Sequence, residues 1–271
     1  MPARSASTGL LWPTILAIVG FSVLVGLGLW QWDRMQWKAD VLDRLAAAET
    51  VPPKDFSAWF DQLTRDARAV AKREGRDCAD AICAPLDLVS EEFDVVRLSA
   101  RPAEKKPAFV YAPVGGRQTY RAFAYFKTDA GPLQVDRGLI EEAELDAFRD
   151  AASAGGDSAA VQDPGDMIVL VRHGPGPQFY TPPPDPERAI WYSVPPRQLN
   201  GSDNSGALWL QQVRRGAAPP PANGPVPPTL AEMRERIPNR HFEYALTWWG
   251  LAAGLALVYL VFAATRLSSR A

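Results

Sequence analysis

The stretch NRHFEYALTWWGLAAGLALVYLVFAA, Asn239 to Ala264, places one of the two histidines of the chain directly before an apolar run. From Tyr244 to Ala264 this run contains no charged side chain. About 20 apolar residues in a helix, with a rise of about 1.5 Å each, cross the hydrocarbon core of a bilayer. The stretch therefore predicts a transmembrane helix with an imidazole, that of His241, at its beginning.

A second run of the same kind, LLWPTILAIVGFSVLVGLGLW, extends from Leu10 to Trp30. It has no charge, and it carries tryptophan near both ends, where the aromatic belts of membrane proteins lie. A cleaved signal peptide would have a shorter apolar core and small residues at its cleavage site, whereas this run ends in LWQW. We therefore predict permanent spans over 10–30 and 244–264.

The short tails set the expected orientation, because positive charge in short loops stays on the cytoplasmic side. Residues 1–9 carry Arg4, residues 265–271 carry two arginines, and neither tail has an acidic residue. Both tails are therefore expected in the cytoplasm, with 31–243 as a periplasmic (or intermembrane-space) region long enough for a globular domain. Residues 1–9 are too few for the usual transit peptide, which favours a bacterial inner membrane over a mitochondrial one.

Between the spans, helical patterns are followed by extended ones. The first helix should continue past the bilayer until VPP at 51–53, and Phe56 to Val70 has the apolar spacing of an amphipathic helix. From about residue 92 the chain changes to short runs rich in β-branched and aromatic residues, two of which are joined through Thr128–Pro132 as a hairpin. We predict a membrane α+β protein in which two transmembrane helices flank an antiparallel β-rich domain with short helices.

Two local features lie outside the strands. The segment TLAEMRERIPNR is typical of a short helix stopped by Pro238, with Asn239 as the N-cap of the second span. Cys78 and Cys83 are separated by four residues in GRDCADAICAP. In an oxidising compartment this spacing favours a local disulfide, and a thiol that binds metal or exchanges electrons is the alternative.

Five short sequence motifs are informative when they are considered together: LGLWQWDRMQWK, EFDVVRLSA, GPLQVDRGLI, TPPPDPERAIWYS and NRHFEYALTWWGLA. In these strings the chain resembles the Surfeit locus protein 1 family, the assembly factors of haem-copper cytochrome oxidase. The last string is the most specific, because it has Asn, His, Tyr-Ala and Thr-Trp at the spacing of the family's closing motif. The long segment from Ala58 to Leu88, Ala100 in place of a common glycine, and LIEEAE without a proline depart from the family in the central region.

The resemblance implies a role in delivering haem a, or in holding it, for insertion into oxidase subunit I. The implied partners are cytochrome c oxidase subunit I with its assembly intermediates, haem a synthase and the lipid bilayer, and not nucleic acid. An enzyme is not expected, because the chain has two histidines and no G-x-S-x-G, H-E-x-x-H or S-x-x-K string. The rival is a membrane-anchored scaffold that stabilises an oxidase assembly intermediate without binding haem.

Haem needs an axial ligand and an apolar slot for its macrocycle. Given the resemblance, we predict that His241 ligates the haem iron, with Tyr244 and Trp248 of the same helical stripe as walls of the ring. Ala245 and Ala252 on this stripe would leave room beneath the aromatic rings. The alternative is that His241 is an interfacial polar residue that caps the helix or bonds to the β domain.

Haem also needs cationic partners for its propionates. Arg34 or Arg240 would supply them, with Trp30 at a similar depth on the first span. The alternatives are that both arginines anchor the spans at lipid headgroups and that the tryptophans form a belt. Gly250 and Gly254 form a G-x-x-x-G pair, which predicts close packing against the first span or against an oxidase helix.

Overall fold

The computed structural model describes residues 8–73, 92–103, 106–128, 131–153, 166–174, 178–194, 207–216, 219–221 and 223–269. The chain divides into two compact units, one made of 1–43 with 235–271 and the other of 44–234. Cys78 and Cys83 lie outside the described residues, so their disulfide stays a prediction.

The helical segments and the later run of strands follow the predicted order. The helices are α1 (Thr8–Thr50), α2 (Phe56–Arg73), α3 (Leu145–Ser153), α4 (Leu230–Glu235) and α5 (His241–Ser268). The strands are β1 (Lys54–Asp55), β2 (Val95–Ser99), β3 (Arg101–Pro102), β4 (Ala108–Tyr111), β5 (Thr119–Thr128), β6 (Gly131–Glu141), β7 (Asp166–Gly174), β8 (Ile190–Trp191) and β9 (Ala207–Gln212). Helix α3 and the two-residue strands β1 and β3 were not predicted.

The first unit contains the two apolar helices. Both α1 and α5 are long and apolar enough to cross a membrane, as judged by length and composition. Helix α1 is 43 residues long and ends at Thr50, immediately before the VPP sequence that was expected to stop it. The prediction of apolar helices near both ends of the chain is therefore confirmed.

The two apolar helices are antiparallel, and a glycine sets their closest contact. A Cβ atom added to the buried Gly28 would lie 2.2 Å from Nε1 of Trp249, too close for any side chain. Further along, a Cβ on Gly20 would lie 3.1 Å from Leu255. Near the opposite end of the pair, the hydroxyl oxygens of Thr14 and Tyr259 are 2.6 Å apart. Gly20 and Gly28 of α1 therefore leave room for side chains of the partner helix.

Gly250 and Gly254 have a different environment from the one expected for packing against the first span. A Cβ added to either glycine would meet no atom within 4 Å, and both residues are exposed. The predicted close packing of these glycines against the first span is therefore wrong, because the helical phase of α5 turns Trp249 towards α1 instead. Their contact with an oxidase helix stays a prediction.

In the second unit, nine strands form one sheet among the described residues. Its order is β1-β2-β7-β9-β6-β5-β4-β8, with β3 paired to β5. The predicted hairpin is present as β5 and β6, with Thr128 opposite Gly131. Most neighbouring strands are antiparallel, as expected, but β1 with β2, β4 with β8 and β6 with β9 are parallel. The sheet is therefore mixed.

Helices α2 and α3 contribute to the main core of the second unit. Phe56, Trp59 and Leu63 of α2 are buried, as the predicted amphipathic face requires. Leu145 and Phe148 of α3 belong to the same core cluster, together with one side of strands β2, β4, β5, β6, β7 and β9. The apolar spacing of the sequence thus identifies the buried face of α2 correctly.

The last turn of α1 lies in the second unit and is held by an arginine. Nη2 of Arg215 donates to the carbonyl oxygens of Ala48 and Val51, at 2.6 and 2.7 Å. A cation at a helix C-terminus satisfies carbonyl groups that have no partner within the helix and opposes the helix dipole. Burial lowers the pKa of the Arg215 guanidinium.

A buried ion pair stabilises the β5–β6 hairpin. The fully buried Asp136 accepts from Nη1 of Arg121 at 2.7 Å and from the backbone N–H of Gly138 at 2.9 Å. Gly138 has a φ of 107°, and a Cβ there would lie 2.1 Å from the carbonyl oxygen of Val226. Asp136 therefore fixes the hairpin through both bonds, and Gly138 is required by both its positive φ and the close approach of Val226.

We expect Gly28→Ala to lower the melting temperature of the protein in detergent micelles. The added Cβ overlaps the indole of Trp249, and overpacking of this kind costs about 1–3 kcal/mol. Gly26→Ala is the matched control on the same helix, because a Cβ at Gly26 meets no atom within 4 Å. Equal melting temperatures for the two variants would contradict the close contact of α1 with α5.

We expect Asp136→Asn to destabilise the sheet unit by about 3 kcal/mol, because it leaves the partly buried Arg121 without its anion. The free energy of unfolding of the full chain, from guanidinium titration in micelles, measures this loss. Glu141→Gln on the same strand is the control, since its ion pair with Arg117 is exposed and is worth at most about 1 kcal/mol. A smaller loss for Asp136→Asn than for the control would be inconsistent with the buried pair.

Candidate functional site

The site is built where Gln31 of α1 and His241 of α5 meet within the first unit. Nδ1 of the half-buried His241 lies 2.6 Å from Oε1 of Gln31. An amide oxygen only accepts hydrogen bonds, so with this orientation of the amide Nδ1 carries the proton and Nε2 keeps its lone pair. A histidine held by its Nδ1–H in this way is prepared to bind a metal through Nε2.

Three residues of α1 hold the beginning of α5. Gln31, Met35 and Lys38 follow one another at a spacing of four and three residues and therefore share one face of the helix. Nζ of Lys38 donates to the carbonyl oxygen of Pro238 at 2.7 Å, and Nδ2 of Asn239 donates to that of Met35 at 3.1 Å. These bonds, together with the pair of Gln31 and His241, fix the first turn of α5 against α1.

The prediction that Asn239 caps α5 is wrong. The N-cap residue is Arg240, which makes no side-chain capping bond. The amide of Asn239 is used instead for the contact with Met35, 204 residues away in the chain. A local capping pattern cannot reveal such a long-range partner, because Asn is equally suited to both roles.

Three aromatic residues, Trp32, Phe242 and Trp249, pack against one another across the two helices. Trp32 of α1 lies against Phe242 and Trp249, with ring centroids 6.3 and 6.1 Å apart. Of the predicted walls, Trp248 is half-buried, whereas Tyr244 is 56% exposed. Tyr244 and Trp248 therefore line the outside of the helix pair, where a planar ligand would have access to them.

Two cations of α1 lie near His241. Arg34 and Lys38 of α1 both act electrostatically on His241, and Arg240 is its exposed neighbour in the chain. The guanidinium of Arg34 lies 3.9 Å above the ring of Trp37, a cation–π contact with an exposed residue. Trp30 is 57% exposed and has its ring on the surface of α1. The structure thus brings Arg34 near His241 and adds Lys38, which the sequence did not single out.

These residues fit a haem group in their chemistry. Haem iron takes an axial nitrogen ligand, which Nε2 of His241 can supply, and its propionates match the nearby cations. Among the described residues, no group of three or more His, Cys, Asp or Glu side chains is placed to hold a metal ion.

The other histidine of the chain, His173, belongs to the sheet of the second unit. His173 lies in β7, which continues to Gly174, and it pairs with Leu208 of β9. It is a strand residue of the second unit. This placement makes His173 a suitable reference for any property assigned to His241.

Comparison with known proteins identifies the family. The family model of the SURF1 family matches residues 18–253, which include Gln31 and His241. The chain belongs to the SURF1 family. The match covers most of α1, the whole sheet unit and the first half of α5, so the resemblance read from five short strings is confirmed.

Members of this family from vertebrates are similar to the chain over most of its length. Surfeit locus protein 1 of Takifugu rubripes is 25% identical over 242 residues, covering 86% of this chain and 90% of that protein. The proteins of the same name from Rattus norvegicus and Homo sapiens are each 22% identical, covering 86% of this chain and 70% and 72% of their own lengths.

We expect Asn239→Asp to lower the melting temperature at least as much as Asn239→Ala. Alanine only removes the donor to Met35, a loss of about 1 kcal/mol, whereas aspartate places an anion against the same carbonyl oxygen. If Asn239 were an N-cap, aspartate would be tolerated and only alanine would be destabilising. Thermal unfolding of both variants in micelles therefore decides between the two roles.

Proposed function

We propose that this SURF1-family protein assists the assembly of a haem-copper cytochrome c oxidase by holding haem a for insertion into subunit I. The observation that carries the proposal is the hydrogen bond between Nδ1 of His241 and Gln31, which leaves Nε2 as a ligand. Family membership supports the oxidase as the target, and the geometry at His241 supports haem as the cargo. The protein acts here as an assembly factor and not as an enzyme.

Different residues around His241 would contact different parts of haem a. Haem a, when bound, would supply an iron that takes a nitrogen ligand, and Nε2 of His241 would be that ligand. The exposed Tyr244 and the half-buried Trp248 would lie along the macrocycle on the outer side of the helix pair. Ala245 and Ala252 of α5 are buried and small, so they would allow close packing of the helices beneath these aromatic rings.

The propionates of haem a would be held by the cations near His241, at the same end of the helix pair. Arg34 can leave the exposed ring of Trp37 at little cost, because an exposed cation–π contact is worth only about 0.5–1 kcal/mol. Arg240 is exposed and ready to pair. Trp30, also exposed, would border the ligand from α1.

The setting that we propose is the inner membrane of a bacterium, with both termini in the cytoplasm and the sheet unit in the periplasm. Two candidate spans and the arginines of the short tails support this topology. Haem a synthase would be the donor of the cofactor, and subunit I the acceptor. Arg34 and Arg240 would then lie at the periplasmic boundary of the membrane.

A second candidate function is that of a scaffold which stabilises an assembly intermediate without binding haem. The observation that favours it is the open face of α5 at Gly250 and Gly254, where another membrane helix could approach closely. A scaffold of this kind would use α5 for contact with the oxidase. It would have no need of an oriented imidazole.

The haem spectrum of purified protein tests the proposal. We expect protein from a haem a-producing host to show a stoichiometric Soret band, and His241→Ala to lose at least about nine tenths of it, because the axial ligand is removed. His173→Ala is the matched control, since it replaces the other histidine of the chain, and it should keep the wild-type band.

Two results would contradict parts of the proposal. Equal haem content in His241→Ala and wild type would remove His241 from the site. Co-purification of the wild-type protein with subunit I but without a Soret band would instead favour the scaffold.

A further inference from the structure

The hydrogen bond between Gln31 and His241 in the first unit does more than join the two helices. Gln31 and His241 are separated by 210 positions in the chain, yet their side chains are 2.6 Å apart. The two helices are already joined by Lys38 with Pro238, by Asn239 with Met35, and by the hydroxyl groups near the other end. The bond between Gln31 and His241 adds something that these contacts do not, namely control over a ring that has two nitrogens.

A neutral imidazole exists in two tautomers, and the partner of one nitrogen decides which nitrogen keeps the lone pair. Because Oε1 of Gln31 accepts and cannot donate, its contact with Nδ1 favours the tautomer with the proton on Nδ1. The lone pair is then on Nε2. The bond also restricts rotation of the ring, since Gln31 is half-buried on a helix that is itself packed against α5.

We infer that Gln31 is a positioning residue, which holds the proton of His241 on Nδ1 and so keeps Nε2 directed at the iron of an incoming haem. This inference rests on the proposed function. Ligands of metals commonly donate their second ring nitrogen to such an acceptor, and loss of that acceptor typically weakens metal binding by about 10–100-fold.

Two substitutions separate the acceptor from the bulk of the side chain. Gln31→Met keeps the length and removes the acceptor, whereas Gln31→Glu keeps an acceptor and strengthens it. Gln36→Met is the matched control, because Gln36 is an exposed glutamine of the same helix. All three variants are made in the full chain.

The first measurement needs no haem. Histidine labelled with ¹⁵N, in a His173→Ala background that leaves a single imidazole, reports the tautomer of His241 in micelles at alkaline pH. We expect the proton on Nδ1 in the unmutated site, in Gln31→Glu and in Gln36→Met, and a shift of the proton to Nε2 in Gln31→Met. The same tautomer in all variants would overturn the inference.

The second measurement uses the haem-loaded protein. We expect Gln31→Met to reduce haem affinity by about 10–100-fold and Gln36→Met to leave it unchanged. Gln31→Glu should retain haem and lower the midpoint potential, because a carboxylate partner makes the imidazole a stronger donor to ferric iron. A shifted tautomer with unchanged haem affinity would show that positioning by Gln31 is not used, and would overturn the inference.

The two measurements distinguish failure of the proposed function from failure of the inference about Gln31. Absence of haem from the unmutated protein would count against the proposed function alone. The tautomer of His241 in the haem-free protein would still decide whether Gln31 directs the ring.

Discussion

The contact of Gly28 with Trp249 is the constraint on which the first unit depends. No side chain larger than hydrogen fits at Gly28, so α1 and α5 lie as closely as two helices with an intervening indole can. At this separation, the side chains of Gln31 and His241 near the end of the helix pair can form a direct hydrogen bond. A wider spacing would leave Gln31 and His241 without contact, and the ring would lose its orientation.

The candidate site therefore uses residues from opposite ends of the sequence. Gln31, Arg34 and Lys38 come from α1, whereas Arg240, His241 and the aromatic residues after it come from the beginning of α5. The sheet unit has its own core and its own buried ion pair between Arg121 and Asp136. The outermost strands of its order, β1 and β8, are only two residues long, which limits unwanted pairing with other chains.

Local patterns predicted most of the fold, because apolar runs, VPP at 51–53 and the spacing of α2 carry their information within a few residues. The parallel strand pairs depend on contacts between distant segments and were missed for that reason. The same cause explains the errors at Asn239 and at the glycine pair. Periodicity placed His241 and Trp248 on one stripe, but it could not show that Trp249 faces α1 or that Gln31 would meet the imidazole.

The central claim is that Nε2 of His241 binds the iron of haem a, and pulsed electron paramagnetic resonance tests it most directly. Protein loaded with haem a is prepared once with ¹⁵N-histidine and once with natural histidine, both in the His173→Ala background. The account predicts a hyperfine coupling at the ferric iron that changes with the isotope. A coupling pattern that is identical in the two samples would mean that no histidine of this chain is a ligand and would contradict the account.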